Sequence, residues 1–438
     1  MVASGPGSYA NIRFSKAVPD RILMLHRNFP SDSNRIQFIT GHPLSEQLQI
    51  EPSEEKPELV EALRALIAQQ GGITFADYMG QCLYHPESGY YTSARTRIGK
   101  EGDFFTSSSV HSLFGRLIAR QLEQMWRLLE CCEFTIAEQG AGEGHLAGDI
   151  LDAIAEDFPE FYAKLCYRIV EISPDHQQRQ AGNLTQHLQA GRVEWCGLDS
   201  LRGMKGCFLT NELVDAFPVH LVEKREGKVQ EVFVVNTDEG FAEELRPLST
   251  DRIADYHDLV DMQPAEGNRS EVNLAALDWM AQISEILGRG FVMTIDYGYP
   301  AEELMAAYRK TGTLLCYHRH QSNEDPYRQA GCQDITAHID FTALERIGEQ
   351  NGLQPLYFGE QYRFLMGLGF FEAVLEMQMR ETNEQKAQAL RMTLKNLIMP
   401  EGGMGESFKI LVQGKDVGVP ELLCARKIRD IGVPPGMM

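Results

Sequence analysis

No stretch of this 438-residue chain approaches the roughly 20 consecutive apolar residues that a membrane span needs; the run Phe291–Ile295 is short and ends on Asp296. Basic charge is scarce, with 41 Lys and Arg against 62 Asp and Glu and a formal charge of −21. Such a balance repels phosphate backbones and argues against nucleic acid as the partner. The nine cysteines form no CxxC, and Cys131-Cys132 is the one close pair. An odd count without a secretory leader reads as reduced thiols in a reducing compartment. Repeats and low-complexity tracts are missing as well. What is present is ordinary globular composition, 43% hydrophobic and 24% charged, at a length that suggests two or three structural units. The expectation is a soluble intracellular protein with no membrane insertion.

Residues 1–56 read as a poorly ordered basic leader. Within the first 50, Arg13, Lys16, Arg21, Arg27 and Arg35 face only Asp20, Asp32 and Glu46. Such a leader fits an organelle transit sequence, which places the protein in the mitochondrial matrix. A floppy extension, or a true start at Met24, leaves it cytoplasmic. Residues 57–130 read as a helical N-terminal segment. Leu59, Leu63 and Ile67 share a helical face that Gly71-Gly72 stops, and Thr74-Phe75-Ala76-Asp77 caps a second helix. The hydroxyl-rich stretch Gly102–Ser109 suits either a lid or the cap of the amphipathic helix Ser112–Leu129.

Residues 131–365 read as an α/β core. Apolar runs at Phe134–Glu138, Tyr167–Glu171, Cys207–Asn211 and Phe291–Tyr297, with a shorter one at Val193–Trp195, alternate with helical stretches such as Gly144–Asp157. That alternation predicts a mostly parallel sheet with helices on both faces. An insertion at 219–288 carries hairpin-like strands His220–Lys224 and Val229–Val235, then helices around a polar loop, Pro264–Ser270. Thr313–His318, Ile335–Phe341 and Leu353–Tyr357 are expected to supply the last strands. Residues 366–438 hold a C-terminal helix, Phe370–Arg391, and a tail. Parallel sheets bind ligands at the carboxyl ends of their strands. Glu138, Glu171, Glu212 and Asp296 all fall there.

The run Phe134-Thr-Ile-Ala-Glu138-Gln-Gly140-Ala-Gly142-Glu-Gly144-His145 is a strand, a glycine turn and a helix start. Glycines let the backbone approach a ligand, and the helix start offers unpaired N–H groups. The dinucleotide fingerprint needs a small residue at its sixth position, where this chain has His145. Glu138 and Glu143 flank the turn and repel a pyrophosphate, whereas a cationic ligand with an amino acid tail is welcome. Glu171 closes the next strand, 31 residues after Gly140, where an acid accepts both ribose hydroxyls of an adenosine.

These residues resemble motifs I and II of class I S-adenosylmethionine-dependent methyltransferases. Further blocks are Gly102-Asp-Phe-Phe-Thr-Ser107, Val170-Glu-Ile-Ser-Pro174, Asn211-Glu-Leu-Val-Asp-Ala-Phe-Pro218, Asp296-Tyr-Gly298 and Gly331-Cys-Gln-Asp-Ile-Thr-Ala-His-Ile-Asp-Phe341. In that order, from about Ile73 to Lys409, they resemble the MidA-like family, whose mitochondrial members assist assembly of respiratory complex I. The resemblance implies a Rossmann-like seven-stranded sheet with the last strand antiparallel, S-adenosylmethionine as cofactor, and methyl transfer to an arginine of a client protein. The chain departs from the family at Glu360-Gln-Tyr362-Arg-Phe-Leu365, where a glycine is expected in place of Tyr362.

A guanidinium stays protonated, with a pKa above about 12, so an arginine acceptor needs carboxylates to grip and neutralise it. Glu212, Asp215 and Asp296 are the candidates; if Glu212–Asp215 is one helical turn, its two acids share a face. Alternatively, Asn211 and Asp215 only cap a short turn and Asp296 stands behind it. Candidate cofactor residues are Glu138, Gly140, Gly142, Gly144, Glu171 and Asn211, with Asp103 and Asp199 as contacts to the cofactor's amino group and adenine. Asp334 and Asp340 bracket the expected sixth strand; they read as solvated strand ends, the alternative being that one faces the acceptor. His318 and His320 face one way on a strand, but with no third ligand at sensible spacing no metal is expected. Competing functions are an assembly chaperone that keeps the cofactor fold, methylation of a small-molecule amine, and a nicotinamide oxidoreductase. A dimer is the expected assembly.

Overall fold

The computed structural model describes residues 55–92, 111–319, 321–380, 397–398 and 405–426. The basic leader up to residue 54, the Gly102–Ser109 stretch with Asp103, His320, and the end of the expected C-terminal helix lie outside them.

Seven strands build the main sheet: β1 (Phe134–Gln139), β2 (Leu165–Val170), β3 (Val193–Trp195), β4 (Met204–Asn211), β5 (Leu287–Tyr299), β6 (Gln354–Glu360) and β7 (Phe408–Lys415). Their order is β6-β7-β5-β4-β1-β2-β3. Neighbours from β5 to β3 run parallel, while β7 is antiparallel to both β5 and β6. The two-residue strand Ile339–Asp340 adds to the end of β5. The direction of strand order reverses between β1 and β4, which opens a crevice at their carboxyl ends.

Period-two alternation fixes both faces. Phe291, Met293 and Ile295 of β5 pack with helices α3 (Leu113–Leu128) and α4 (His145–Asp157) on one side. Val292 of β5 and Phe208 of β4 point the other way, onto α7 (Leu274–Ile286) and α8 (Phe341–Gln350). Each of these apolar side chains is buried, worth about 1.5–3 kcal/mol apiece relative to exposure. No helix among the described residues is long and apolar enough to cross a membrane.

The N-terminal helices α1 (Pro57–Gln70) and α2 (Phe75–Tyr84) bury the expected stripe Leu59, Leu63 and Ile67. Thr74 and Asp77 form the reciprocal cap at the start of α2. These helices share an apolar core with Val219, Leu221, Val232 and Val234 of the insertion. The shared second sheet holds Ile73–Thr74, His220–Arg225, Lys228–Thr237, Gly240–Arg246 and Arg269–Val272.

Four expectations are corrected. Thr313–His318 contributes Leu315–His318 to a separate three-stranded sheet with Gln321–Asn323 and Asp334–Thr336. Ile335–Phe341 is broken at Ala337-His338, and Asp340 caps α8 by accepting from Thr342 and Ala343 N–H. The sixth strand is therefore β6, and Asp334 and Asp340 do not bracket it. The polar loop Pro264–Ser270 runs into the strand Arg269–Val272, whose short alternation was hidden among its polar residues. Tyr362 lies inside the helix Gln361–Gly367 and takes no left-handed conformation, so no glycine is required there.

Candidate functional site

The crevice between β1 and β4 is lined by two loops that touch. Gly140, Gly142 and Gly144 have φ of 74°, 54° and 82°, a region that costs a side chain dearly. A Cβ on Gly140 would lie 2.9 Å from Leu213 Cδ1 of the facing loop. The backbone thus forms a cradle that any larger residue fills, with the N-terminus of α4 at its end.

Glu138 is buried at the end of β1, and its Oε2 accepts from the Tyr167 hydroxyl at 2.7 Å. Burial pushes its carboxyl up to about 7; the charge of Glu171 adds to the push and the Tyr167 bond opposes it. Glu171 sits one residue past β2. Its Oε1 accepts from Ser173 N–H at 2.8 Å, and its Oε2 lies 3.2 Å from Gln180 Nε2 and 3.5 Å from His176 Nδ1.

Sequence reasoning overlooked Gln180, which α5 (Pro174–Asn183) carries fully buried beneath both elements. Its Nε2 also donates to the Gly142 carbonyl at 2.8 Å, and its Oε1 accepts from Trp195 Nε1 at 2.7 Å. One amide therefore ties the glycine turn, Glu171 and β3 together. The available signal was a polar residue seven positions past Ser173 on an otherwise solvated helix, too faint to single out. Gln180→Leu strands the Gly142 carbonyl and the Trp195 indole, and should lower unfolding stability by about 1–3 kcal/mol. A chemical denaturation curve indistinguishable from the parent would refute the role.

On the other side of the crevice, Asn211 ends β4 and Glu212 takes a left-handed φ of 54°. Glu212–Asp215 is therefore not a helical turn; a short 3-10 turn begins only at Val214 and ends at Ala216, ahead of Pro218. The cause lies one strand over. Asp296 is fully buried, and its Oδ2 accepts from Leu213, Val214 and Asp215 N–H at 3.3, 2.9 and 3.3 Å. Its Oδ1 accepts from Tyr297 N–H at 2.8 Å. Burial pushes Asp296 up to about 7, while these four N–H groups hold it back. Both of its oxygens are spent on the backbone.

Asp215 is buried, and burial followed by the charges of Asp296, Asp334 and Glu212 pushes it well above the usual carboxylate range. Asp334 is buried too, not a solvated strand end; the Tyr91 hydroxyl lies 2.9 and 3.0 Å from its oxygens. Tyr84 stacks on Tyr91 with ring centroids 5.5 Å apart and donates to the Ala216 carbonyl. Burial raises the Tyr297 and Tyr317 hydroxyls, and the same acids add to it, Glu212 and Asp215 at Tyr297 and Asp215, Asp334 and Glu212 at Tyr317. The result is a cluster of carboxyls flanked by tyrosines. Asn211 donates to Glu212 Oε1 at 3.0 Å, yet its own buried Oδ1 has no hydrogen-bond partner among the described residues.

Other candidates fall apart from this cluster. Asp199 lies in solvent with its side chain 90% exposed, 3.6 Å from Arg202. Glu143 is neutralised by Arg179 at 2.7 Å and lies 3.4 Å from His145, so its charge does less to repel phosphate than its place in the turn suggested. His318 is held by the Cys332 carbonyl at 2.8 Å. All nine cysteines are free thiols.

Residues 117–359 match a family model described as "Putative S-adenosyl-L-methionine-dependent methyltransferase". The chain is 32% identical to a Burkholderia thailandensis protein whose crystal structure holds S-adenosyl-homocysteine. The two superpose with a TM-score of 0.76, over 84% of this chain and 95% of that one. A mitochondrial protein, "Protein arginine methyltransferase NDUFAF7 homolog", of Drosophila melanogaster is 28% identical over 412 residues, 85% of this chain and 90% of the relative. The Homo sapiens protein arginine methyltransferase NDUFAF7, mitochondrial, is 26% identical over 374 residues, 78% of this chain and 80% of the relative.

Proposed function

The chain belongs to the S-adenosyl-L-methionine-dependent methyltransferase family, and from that premise we propose that it methylates an arginine of a partner protein. The resemblance in its motifs points to a subunit of a respiratory complex I-type assembly as that client. The observation that supports the arginine acceptor is the carboxyl Asp215, raised by its burial and then by the charges of Asp296, Asp334 and Glu212. Carboxyls in such a place ionise most readily when a cation arrives, and a guanidinium meets two of them at once.

The residues present fit the cofactor. Glycines at positive φ give its amino acid tail a close backbone approach, and the unpartnered Asn211 Oδ1 is an acceptor for its ammonium group. Glu171 would take the ribose hydroxyls, and Ile172 beside it, 73% exposed, offers an apolar face to the adenine. When bound, the sulfonium supplies an electrophilic methyl carbon. Glu212 and Asp215 orient the guanidinium toward that carbon and neutralise its charge, which otherwise repels the sulfonium. Asp296 positions the turn that carries them. The flanking tyrosines exclude water, and the product sheds its proton to solvent.

Glu138 gives the reading a pH signature. In the free protein its carboxyl is raised to about 7, so below that pH it is protonated. A cationic ligand favours the ionised form, so S-adenosylmethionine affinity should rise with pH and level off above about 7. Glu138→Gln should flatten that profile in calorimetric titrations. A parent profile flat from pH 5 to about 8 would remove Glu138 from the cofactor site.

Incubation with methyl-labelled S-adenosylmethionine and lysate proteins, read by mass spectrometry, tests the acceptor. Label on arginine supports the proposal, and label on a small amine redirects it. Cofactor binding with no labelled product favours the chaperone reading. The leader allows a mitochondrial matrix location if it acts as a transit sequence, and a cytoplasmic one otherwise; import of a fluorescent protein fused to residues 1–56 separates the two.

A further inference from the structure

The run Ser88-Gly-Tyr-Tyr-Thr92 follows α2 and folds back on it. Tyr90 and Tyr91 N–H donate to the Cys82 and Leu83 carbonyls at 2.9 and 2.8 Å, and the Thr92 hydroxyl donates to the His85 carbonyl at 2.5 Å. Gly89 makes the close return possible, since a Cβ there would lie 2.5 Å from His85 N and 2.7 Å from the Leu83 carbonyl oxygen. The return lays the Tyr91 ring on Tyr84, with 22° between the planes. Each hydroxyl then reaches a different part of the acceptor cluster. Tyr84 donates to the carbonyl of Ala216, at the end of the acidic turn, at 3.0 Å, and Tyr91 donates to Asp334.

Asp334 is fixed through its own strand as well. It opens Asp334–Thr336, and the residue after that strand, Ala337, donates its N–H to the Asp215 carbonyl at 3.0 Å. Burial raises Asp215, Tyr84 and Tyr91, and the charge of Asp334 adds to each. Asp340 shows what a structural acid looks like in the same segment. It too accepts from a tyrosine, Tyr256 of α6 (Arg252–Val260), at 2.9 Å, but its other oxygen is spent on capping α8. Asp334 stands at a strand start beside Asp215, and its Oδ1 accepts from the Ile335 N–H at 3.0 Å.

We propose that Asp334 is a third carboxylate of the acceptor clamp, touching the target guanidinium beside Asp215, and that Tyr91 is its positioning residue. The N-terminal segment then builds part of the acceptor site instead of only covering it. A guanidinium carries five N–H donors, and a bidentate carboxylate takes two of them. Glu212 and Asp215 come from the turn after β4, so an acid from a different strand meets donors that they leave over. It also adds negative charge where the sulfonium and the guanidinium would otherwise repel. Tyr91 keeps its proton throughout the neutral range and so holds the carboxylate without adding charge of its own. This inference deepens the arginine reading and rests on it.

The probe is a capped Gly-Arg-Gly peptide, with its citrulline counterpart as the neutral isostere. Both are titrated by calorimetry into the full chain loaded with S-adenosylhomocysteine, and the parent should prefer arginine. Asp334→Asn keeps the shape and should cut affinity for the arginine peptide about tenfold, leaving that for the citrulline peptide within about twofold. Tyr91→Phe keeps the ring and its stack on Tyr84, and should cut arginine affinity about fivefold. Added to Asp334→Asn it should cost less than about twofold more, because it acts through that carboxylate. Affinity for S-adenosylhomocysteine should stay unchanged in all three chains. If Asp334→Asn does not fold, Tyr91→Phe decides alone by the same comparison of the two peptides. Variants that keep the parent's preference for arginine, or that lose both peptides equally, overturn this inference and leave the arginine reading standing. A parent that does not distinguish arginine from citrulline overturns that reading and the inference with it.

Discussion

Glu212→Gln should reduce methyl transfer by about 10³-fold while leaving S-adenosylhomocysteine affinity within a few-fold and stability within about 0.5 kcal/mol. The replacement keeps size and shape, and it keeps an amide oxygen to accept from Asn211 Nδ2, now 3.0 Å from Glu212 Oε1. What it removes is the charge. A left-handed φ of 54° on a residue that is not glycine costs about 1–2 kcal/mol, and such strain collects at functional sites. Here it re-aims the chain directly after β4, at the crevice where the glycine turn faces Leu213. Single-turnover assays with an arginine acceptor check the prediction. Normal turnover in the variant would end the idea of a carboxylate clamp.

Asp296→Asn should behave differently, because Asp296 acts through the backbone. Its Oδ2 gathers three successive N–H groups of the Glu212–Asp215 segment, and an amide can offer an oxygen to only one side. Whichever way the amide turns, buried donors lose a charged acceptor, which costs about 1–3 kcal/mol of stability. Turnover should fall by about 10²-fold as the turn loosens, a loss in placement of the acceptor. Stability and turnover therefore drop together for Asp296→Asn and separate for Glu212→Gln. Denaturant titration beside kinetics resolves the two. An Asp296→Asn protein of parental stability would contradict the positioning role.

The sheet was legible because its strands are short apolar runs bounded by acids, and both the glycine turn and Glu171 announce themselves by spacing. Of the late strands β6 was, as Leu353–Tyr357, and the others were not. β7 lies beyond residues that give no strand pattern, and Leu315–His318 reads like any half-buried strand although it belongs to a different sheet. The acids of the pocket were visible one by one. Their division of labour was not, since the bonds that bind Asp296 to the backbone span more than 80 residues. Asp334 was visible only as a strand-end acid; what places it is the Tyr91 hydroxyl of the N-terminal segment, 243 residues away. Gln180 escaped for the same reason, as its partners Gly142, Glu171 and Trp195 belong to three separate segments.

Crystals soaked with S-adenosylhomocysteine give the most direct test. Adenosine should lie over Ile172 with both ribose hydroxyls on the Glu171 carboxylate, its amino acid tail against Gly140–Gly144 and its ammonium on Asn211 Oδ1. A nucleoside bound elsewhere, or a glycine turn that stays bare at saturating ligand, would contradict the account.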